Sequence, residues 1–221
     1  MTDKKPLFPQ KYVFFDLDGT LTDPAEGIVN CAEYALKKFG LTADREYLKR
    51  FIGPPLHKTF MHEFGFPEEK ATLAIDYYRE RFKDIGIFEN ELYSGIPELL
   101  RDLQASGRSV VLATSKPEVY AERILDHFGI ADCFTLAVGS LLNNTRDAKS
   151  EVIAFALEKL GASPTEVIMV GDRRYDVEGA AANGIKTVGV LYGYGSREEL
   201  MSAGAVAVCE TVKELGEALL A

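Results

Sequence analysis

Tyr12-Val13-Phe14-Phe15 is an unbroken apolar run, and Asp16-Leu17-Asp18-Gly19-Thr20 follows it directly. A short run with aromatic and β-branched residues and no polar alternation reads as a strand covered on both faces. Such strands belong to parallel sheets with helices on each side. The carboxylates begin where the strand ends. In open α/β sheets, ligands and chemistry gather at the carboxyl ends of the strands. An Asp-Gly pair can also be a plain solvated turn, so the meaning of these acids depends on the remaining chain.

The remaining chain changes rhythm twice. Between Pro24 and about Tyr93 the pattern is helical. Ile28, Ala32, Ala35, Leu36 and Phe39 recur at spacing three and four before Gly40, and Ala71, Ala74, Ile75, Tyr78, Phe82 and Ile85 do the same later. Gly53-Pro54-Pro55 breaks the pattern, and no strand is expected in this stretch. From Ser94 onward strands and helices alternate. The expected strands are 109–113, 134–138, 166–170 and 186–190, with a short last one near 205–208. The intervening helices include Lys149 to about Leu160, stopped by Gly161, and a small-residue helix from Val177 to Asn183. Alternation of this kind implies right-handed crossovers and a parallel sheet. The expected fold is therefore α/β, a doubly wound parallel sheet with an inserted all-helical cap. Residues 1–23 and 94–221 would form the core, and residues 24–93 the cap.

The 221 residues are 47% hydrophobic and 27% charged, ordinary for a folded chain that needs no staples. The net charge of −9 comes without a basic stripe or basic amphipathic helix. That argues against nucleic acid and membrane surfaces as partners. Cys31, Cys133 and Cys209 are odd in number and far apart, as in a reduced compartment. Met1–Gln10 lacks the apolar segment of a signal peptide. A cytoplasmic protein is expected, acting as a monomer or homodimer.

Several strand ends carry polar groups. Asp16 and Asp18 end the first strand and Thr114-Ser115 the second, while Gly171-Asp172 ends the fourth with Asp176 four residues on. Lys149 opens the helix between the third and fourth, where a cation opposes the helix dipole and so calls for a special reason. In a doubly wound sheet the first strand commonly lies between the second and fourth, so these groups would converge in one crevice. Converging carboxylates repel unless a divalent cation neutralises them. Oxygen ligands without His or Cys suit Mg²⁺. One carboxylate could then attack phosphorus as a nucleophile. Lys149, the Thr114 hydroxyl and helix-start amides could steady the phosphoryl charge.

Taken together, Asp16-Leu17-Asp18-Gly19-Thr20, Thr114-Ser115, Lys149 and Gly171-Asp172-Arg173-Arg174-Tyr175-Asp176 resemble the motifs of the haloacid dehalogenase-like hydrolases. The resemblance spans essentially the whole chain and is nearest the phosphoglycolate phosphatase-like branch. It implies Asp16 as nucleophile and Asp18 as the acid and later base. It implies Thr114, Ser115 and Lys149 as phosphoryl-binding groups. It implies Mg²⁺ held by Asp16, the Asp18 carbonyl and Asp172, with Asp176 behind them. Asn143-Asn144 stand where relatives carry an acidic residue and a glycine. Gly53 and Pro54 in the cap, and Arg146, are candidates for substrate specificity. The presence of Asp18 favours phosphorus chemistry over carbon–halogen cleavage. The expected function is Mg²⁺-dependent hydrolysis of a small phosphate monoester, of the phosphoglycolate or nucleoside monophosphate class. A sugar phosphomutase or pyrophosphatase would share the core motifs, and a non-catalytic phosphate binder is the remaining possibility.

Overall fold

The computed structural model describes residues 6–143 and 145–220. The expectations resting on Met1–Lys5 and on Asn144 lie outside these residues. The chain divides into two units, one formed before Asp23 and after Glu91, the other by Asp23–Glu91.

β1 (Tyr12–Phe15) is buried along its whole length, as its apolar run requires. The chain leaves the first unit through β2 (Thr22–Asp23). The second unit then contains α1 (Ala25–Lys37), α2 (Arg45–Leu48), α3 (Leu56–Phe64) and α4 (Glu68–Arg81). Its core is aromatic: Phe51, Phe60, Phe64 and Phe66 pack ring on ring, with Phe51 and Phe60 centroids 4.8 Å apart. Such edge and offset contacts add to plain area burial. The helical pattern that continues through Ile85 in the sequence is interrupted. Phe82–Gly86 forms a π turn, closed by the Ile87 N–H on the Phe82 carbonyl at 2.8 Å. Gly86 and Gly27 meet there without room for a Cβ on Gly27. The chain returns through β3 (Glu91–Leu92), which pairs with β2 in a two-stranded sheet that the sequence pattern does not reveal.

The first unit then runs α5 (Ile96–Ala105), β4 (Ser109–Pro117), α6 (Glu118–His127), β5 (Leu136–Ser140), α7 (Lys149–Leu160), β6 (Val167–Gly171), α8 (Arg174–Ala181), β7 (Lys186–Val190), α9 (Arg197–Ala203), β8 (Ala207–Cys209) and α10 (Val212–Leu220). The six-stranded sheet has the order β5-β4-β1-β6-β7-β8, and all its pairings are parallel. β1 lies between β4 and β6, with Phe14 level with Val111 on one side and Met169 on the other. This is the doubly wound arrangement expected from the alternation. Several boundaries differ: α8 starts at Arg174, three residues before the expected Val177, and β6 and β8 are shifted by one or two residues. β5 begins two residues later than its apolar pattern suggests, because a 3₁₀ turn at Ala131–Cys133 takes up the approach. β4 continues past Ala113 to Pro117 through a shift in register, carrying Thr114, Ser115 and Lys116 on extended backbone.

Phe14, Val111, Val138, Val152, Ile153, Ala156 and Met169 form one buried cluster between the sheet and α7. Removing a fully buried aromatic from such a cluster costs about 3–5 kcal/mol. Phe14→Ala is expected to lose stability by that amount in urea denaturation. A loss below about 1 kcal/mol would contradict the central placement of β1.

Candidate active site

Buried strand ends place Asp16 and Asp172, and the helix after the second of these strands places Asp176. β1 ends and delivers Asp16, and the following Leu17–Thr22 turn is closed by the Leu21 and Thr22 amides on the Leu17 carbonyl. Gly19 adopts φ +81°, and a Cβ there would strike the Asp172 carboxylate. Glycine is thus required both by conformation and by the approach of the two acidic turns. β6 ends and delivers Asp172, which is fully buried. Asp176 lies in the first turn of α8, where its Oδ2 accepts the Arg173 N–H at 3.1 Å. It therefore caps its own helix while facing the crevice.

Asp16, Asp172 and Asp176 each offer a carboxylate oxygen within 4.8 Å of the others. Lys149 enters this group from the first turn of α7. Its Nζ lies 2.6 Å from Asp16 Oδ1 and 2.9 Å from Asp176 Oδ1, and donates to the Ala113 carbonyl at 3.0 Å. Burial alone pulls the Lys149 pKa down, but Asp16 and Asp176 outweigh it and hold the ammonium above its usual value. Gly179 of α8 leaves room for it, since a Cβ there would lie 2.7 Å from Lys149 Cγ.

The carboxylates are in the opposite position. Burial raises the pKa of Asp172, and the charges of Asp176 and Asp16 add to the effect. Burial also raises Asp176, to about 6, against the opposing pull of Lys149. Lys149 pairs with Asp16 and Asp176, so ionising all three carboxylates leaves the cluster with more negative than positive charge. A divalent cation on oxygen ligands matches that deficit in charge and in donor chemistry.

Asp18 is held differently. Its Oδ2 pairs with Lys116 Nζ at 2.8 Å, and its Oδ1 is buried with no hydrogen-bond partner among the described residues. Burial raises its pKa despite the nearby Lys116. Thr114 is buried beside this pair, its Oγ1 accepting the Lys116 N–H at 3.2 Å, and the Ser115 carbonyl accepts the Ser140 hydroxyl at 2.8 Å. Lys116 was not singled out by sequence reasoning. The available signal was its position directly after Thr114-Ser115 at a strand end.

Arg146 does not join this gathering. Its Nη2 pairs with Glu118 Oε2 at 2.6 Å, its Nε donates to the Gly139 carbonyl at 2.8 Å, and its guanidinium stacks over Phe155. It sits at φ +54°, a left-handed conformation that costs about 1–2 kcal/mol and that these contacts hold. Gly53 and Pro54 lie in the second unit, in the turn before α3, where Gly53 has φ +101°.

A lysine-bridged cluster of buried acids at the carboxyl end of a parallel sheet marks an enzyme of the doubly wound α/β class. Residues 13–190 match the haloacid dehalogenase-like hydrolase family. The chain is 42% identical over 220 residues to a 5'-nucleotidase of Pseudomonas aeruginosa, covering 99% of each. It is 42% identical over 210 residues to the tyrosine-protein kinase PtkA of Mycobacterium tuberculosis, covering 94% of this chain and 72% of that one. Among solved structures, a predicted phosphatase from Clostridium acetobutylicum is 48% identical with a TM-score of 0.92, covering 94% of this chain and 97% of that one. The chain belongs to the haloacid dehalogenase-like hydrolase family, and it is a phosphatase of that family.

Two outcomes follow from the charges. Lys149→Met leaves Asp16 and Asp176 facing each other without a cation. Without added metal it is expected to cost about 3–5 kcal/mol in urea denaturation at neutral pH. A neutral effect would show that Lys149 does not offset the cluster. The raised acids contribute stability below about pH 4, and that contribution is lost as pH rises through about 6. A divalent cation reverses this by releasing their protons, so its rise in melting temperature should be larger at about pH 7.5 than at about pH 5. Equal rises at both values would count against binding at these acids.

Proposed function

We propose that this chain is a Mg²⁺-dependent phosphatase that hydrolyses a small-molecule phosphate monoester through an aspartyl-phosphate at Asp16. The observation that supports it most is the Asp16–Asp172–Asp176 cluster bridged by Lys149, with Asp18 beside it on the same turn. Mg²⁺ held by Asp16, the Asp18 carbonyl and Asp172, with Asp176 behind them, would neutralise phosphoryl and carboxylate charge.

The steps belong to the chain's own residues. An Asp16 carboxylate oxygen attacks phosphorus, and the bond from phosphorus to the ester oxygen breaks. Asp18 gives its proton to the departing alkoxide, which leaves as the alcohol. An acid with a raised pKa and one buried oxygen without a partner suits that task. Asp18, now ionised, takes a proton from water as the water oxygen attacks phosphorus. The bond from phosphorus to Asp16 then breaks and inorganic phosphate departs. Lys149, the Thr114 hydroxyl and the Ser115 backbone bind the phosphoryl oxygens. Phosphoryl transfer asks mainly for such positioning and charge stabilisation.

The substrate class is a nucleoside monophosphate or phosphoglycolate. The 5'-nucleotidase relative supports the former. Residues 24–93 act as a cap, with Gly53 and Pro54 contributing to specificity. Three cysteines without a disulfide support the cytoplasm, and the net charge of −9 supports a metabolite rather than a nucleic acid or membrane partner. The enzyme acts as a monomer or homodimer. Likeness to PtkA supports a second reading, in which the phosphoryl group passes from Asp16 to an acceptor hydroxyl rather than to water.

A panel of phosphometabolites with Mg²⁺ present separates these readings. Free phosphate should accumulate with a nucleoside monophosphate or phosphoglycolate. Phosphate appearing instead on an acceptor hydroxyl, or as a positional isomer of a sugar phosphate, would replace hydrolysis by transfer. Asp16→Asn should lower kcat by at least about 10³-fold while the protein still folds. Substantial turnover in that variant would rule out Asp16 as the nucleophile. Chelation should remove activity and Mg²⁺ restore it.

A further inference from the structure

The loop after β7, Tyr192-Gly193-Tyr194-Gly195, closes over Asp172 on several sides at once. The Tyr194 N–H donates to Asp172 Oδ2 at 2.8 Å. A Cβ on Gly193 would lie 2.6 Å from the same Oδ2 and would overlap the Gly19 carbonyl oxygen. A Cβ on Gly195 would overlap the Asp172 carbonyl oxygen. Neither glycine is in the left-handed region, so the close approach and not the backbone angle demands glycine here. The Tyr192 hydroxyl donates to the Thr20 carbonyl at 3.1 Å, and its ring packs edge-on against Tyr93 with centroids 4.9 Å apart.

These contacts reach both acidic turns. Gly193 and the Tyr194 amide hold the turn after β6, while Gly193 and the Tyr192 hydroxyl hold the turn after β1. Asp172 needs such a hold. It is buried against two other carboxylates, and among the described residues one lysine, Lys149, pairs with them. Like charges drive the turns apart until a cation arrives.

We propose that the Tyr192–Gly195 loop is a positioning clamp that fixes the Asp172 carboxylate, and its distance from the Asp16 turn, in advance of cation binding. This rests on the divalent-cation reading of the cluster. The Tyr194 amide takes one carboxylate oxygen and sets the plane of the group. The Tyr192 hydroxyl ties the opposite turn to the same loop. Groups that orient metal ligands in this way commonly govern affinity by about 10–100-fold.

Calorimetric titration of the metal-stripped protein with Mg²⁺ tests this, with melting temperatures of the stripped proteins alongside. Tyr192→Phe keeps the ring and removes only the hydroxyl. It should weaken Mg²⁺ binding about three- to tenfold and leave the stripped melting temperature within about 2 °C. It should lower kcat at a fixed, subsaturating Mg²⁺ concentration with little change in the KM for the phosphate ester. Gly193→Ala, where it folds, should weaken Mg²⁺ by more than about tenfold. Mg²⁺ affinity within about twofold of the parent in Tyr192→Phe would overturn the clamp. So would a loss of affinity accompanied by a fall of more than about 5 °C in the stripped melting temperature, since that marks general packing. If the parent protein itself binds no Mg²⁺, both the clamp and the cation reading fail, whereas parent binding with unaltered variants removes the clamp alone.

Discussion

Three buried carboxylates around one ammonium is the constraint on which the first unit depends. Asp16, Asp172 and Asp176 come from two strand ends and one helix turn, and Lys149 from the start of a fourth element. Burying such a set is unfavourable unless the positions are held by the frame around it. The frame here is the sheet order, which sets β1 beside β6, and a series of glycines that let backbones approach. Gly19 meets Asp172, Gly171 meets Asp176, and Gly179 meets Lys149. Packing and charge are therefore one problem in this unit: the glycines exist because the acids must be close.

The same site separates two kinds of acid by environment. Asp16 and Asp176 share the Lys149 ammonium, while Asp18 has its own lysine and one bare oxygen. Acids set two residues apart on one turn thus meet different surroundings. Different surroundings of this kind support the different roles proposed for the two acids. The register shift in β4 contributes, because it keeps Thr114 to Lys116 extended toward the Asp18 side.

Much of this was legible in the residues. The unbroken apolar run of β1 carried its central place, and Lys149 stood out because a cation at a helix start is unfavourable without a nearby anion. Asp172 and Asp176 could be read from their place after a buried run. Lys116 was missed since a lysine after a strand is common and its partner is nearly a hundred residues away. The Tyr194 amide has no side-chain signature at all, and the sequence Tyr192–Gly195 fits a crevice rim and an ordinary loop equally. Arg146 looked available to a ligand from sequence because its partners, Glu118 and the Gly139 carbonyl, are brought near only by the pairing of β4 with β5. The short pair β2–β3 has two residues a side, too few for periodicity to register.

β1 has a consequence for how the chain comes to be folded. Tyr12–Phe15 is synthesised early, yet its first neighbour begins at Ser109 and its second at Val167. For roughly the first half of synthesis this apolar strand has no neighbour to pair with, while the whole of Asp23–Glu91 can complete its own core. Closing the sheet waits on contacts of long sequence separation, which form slowly and leave strand edges open to other chains. The segment that anchors the finished enzyme is thus also the one a nascent chain must shield longest.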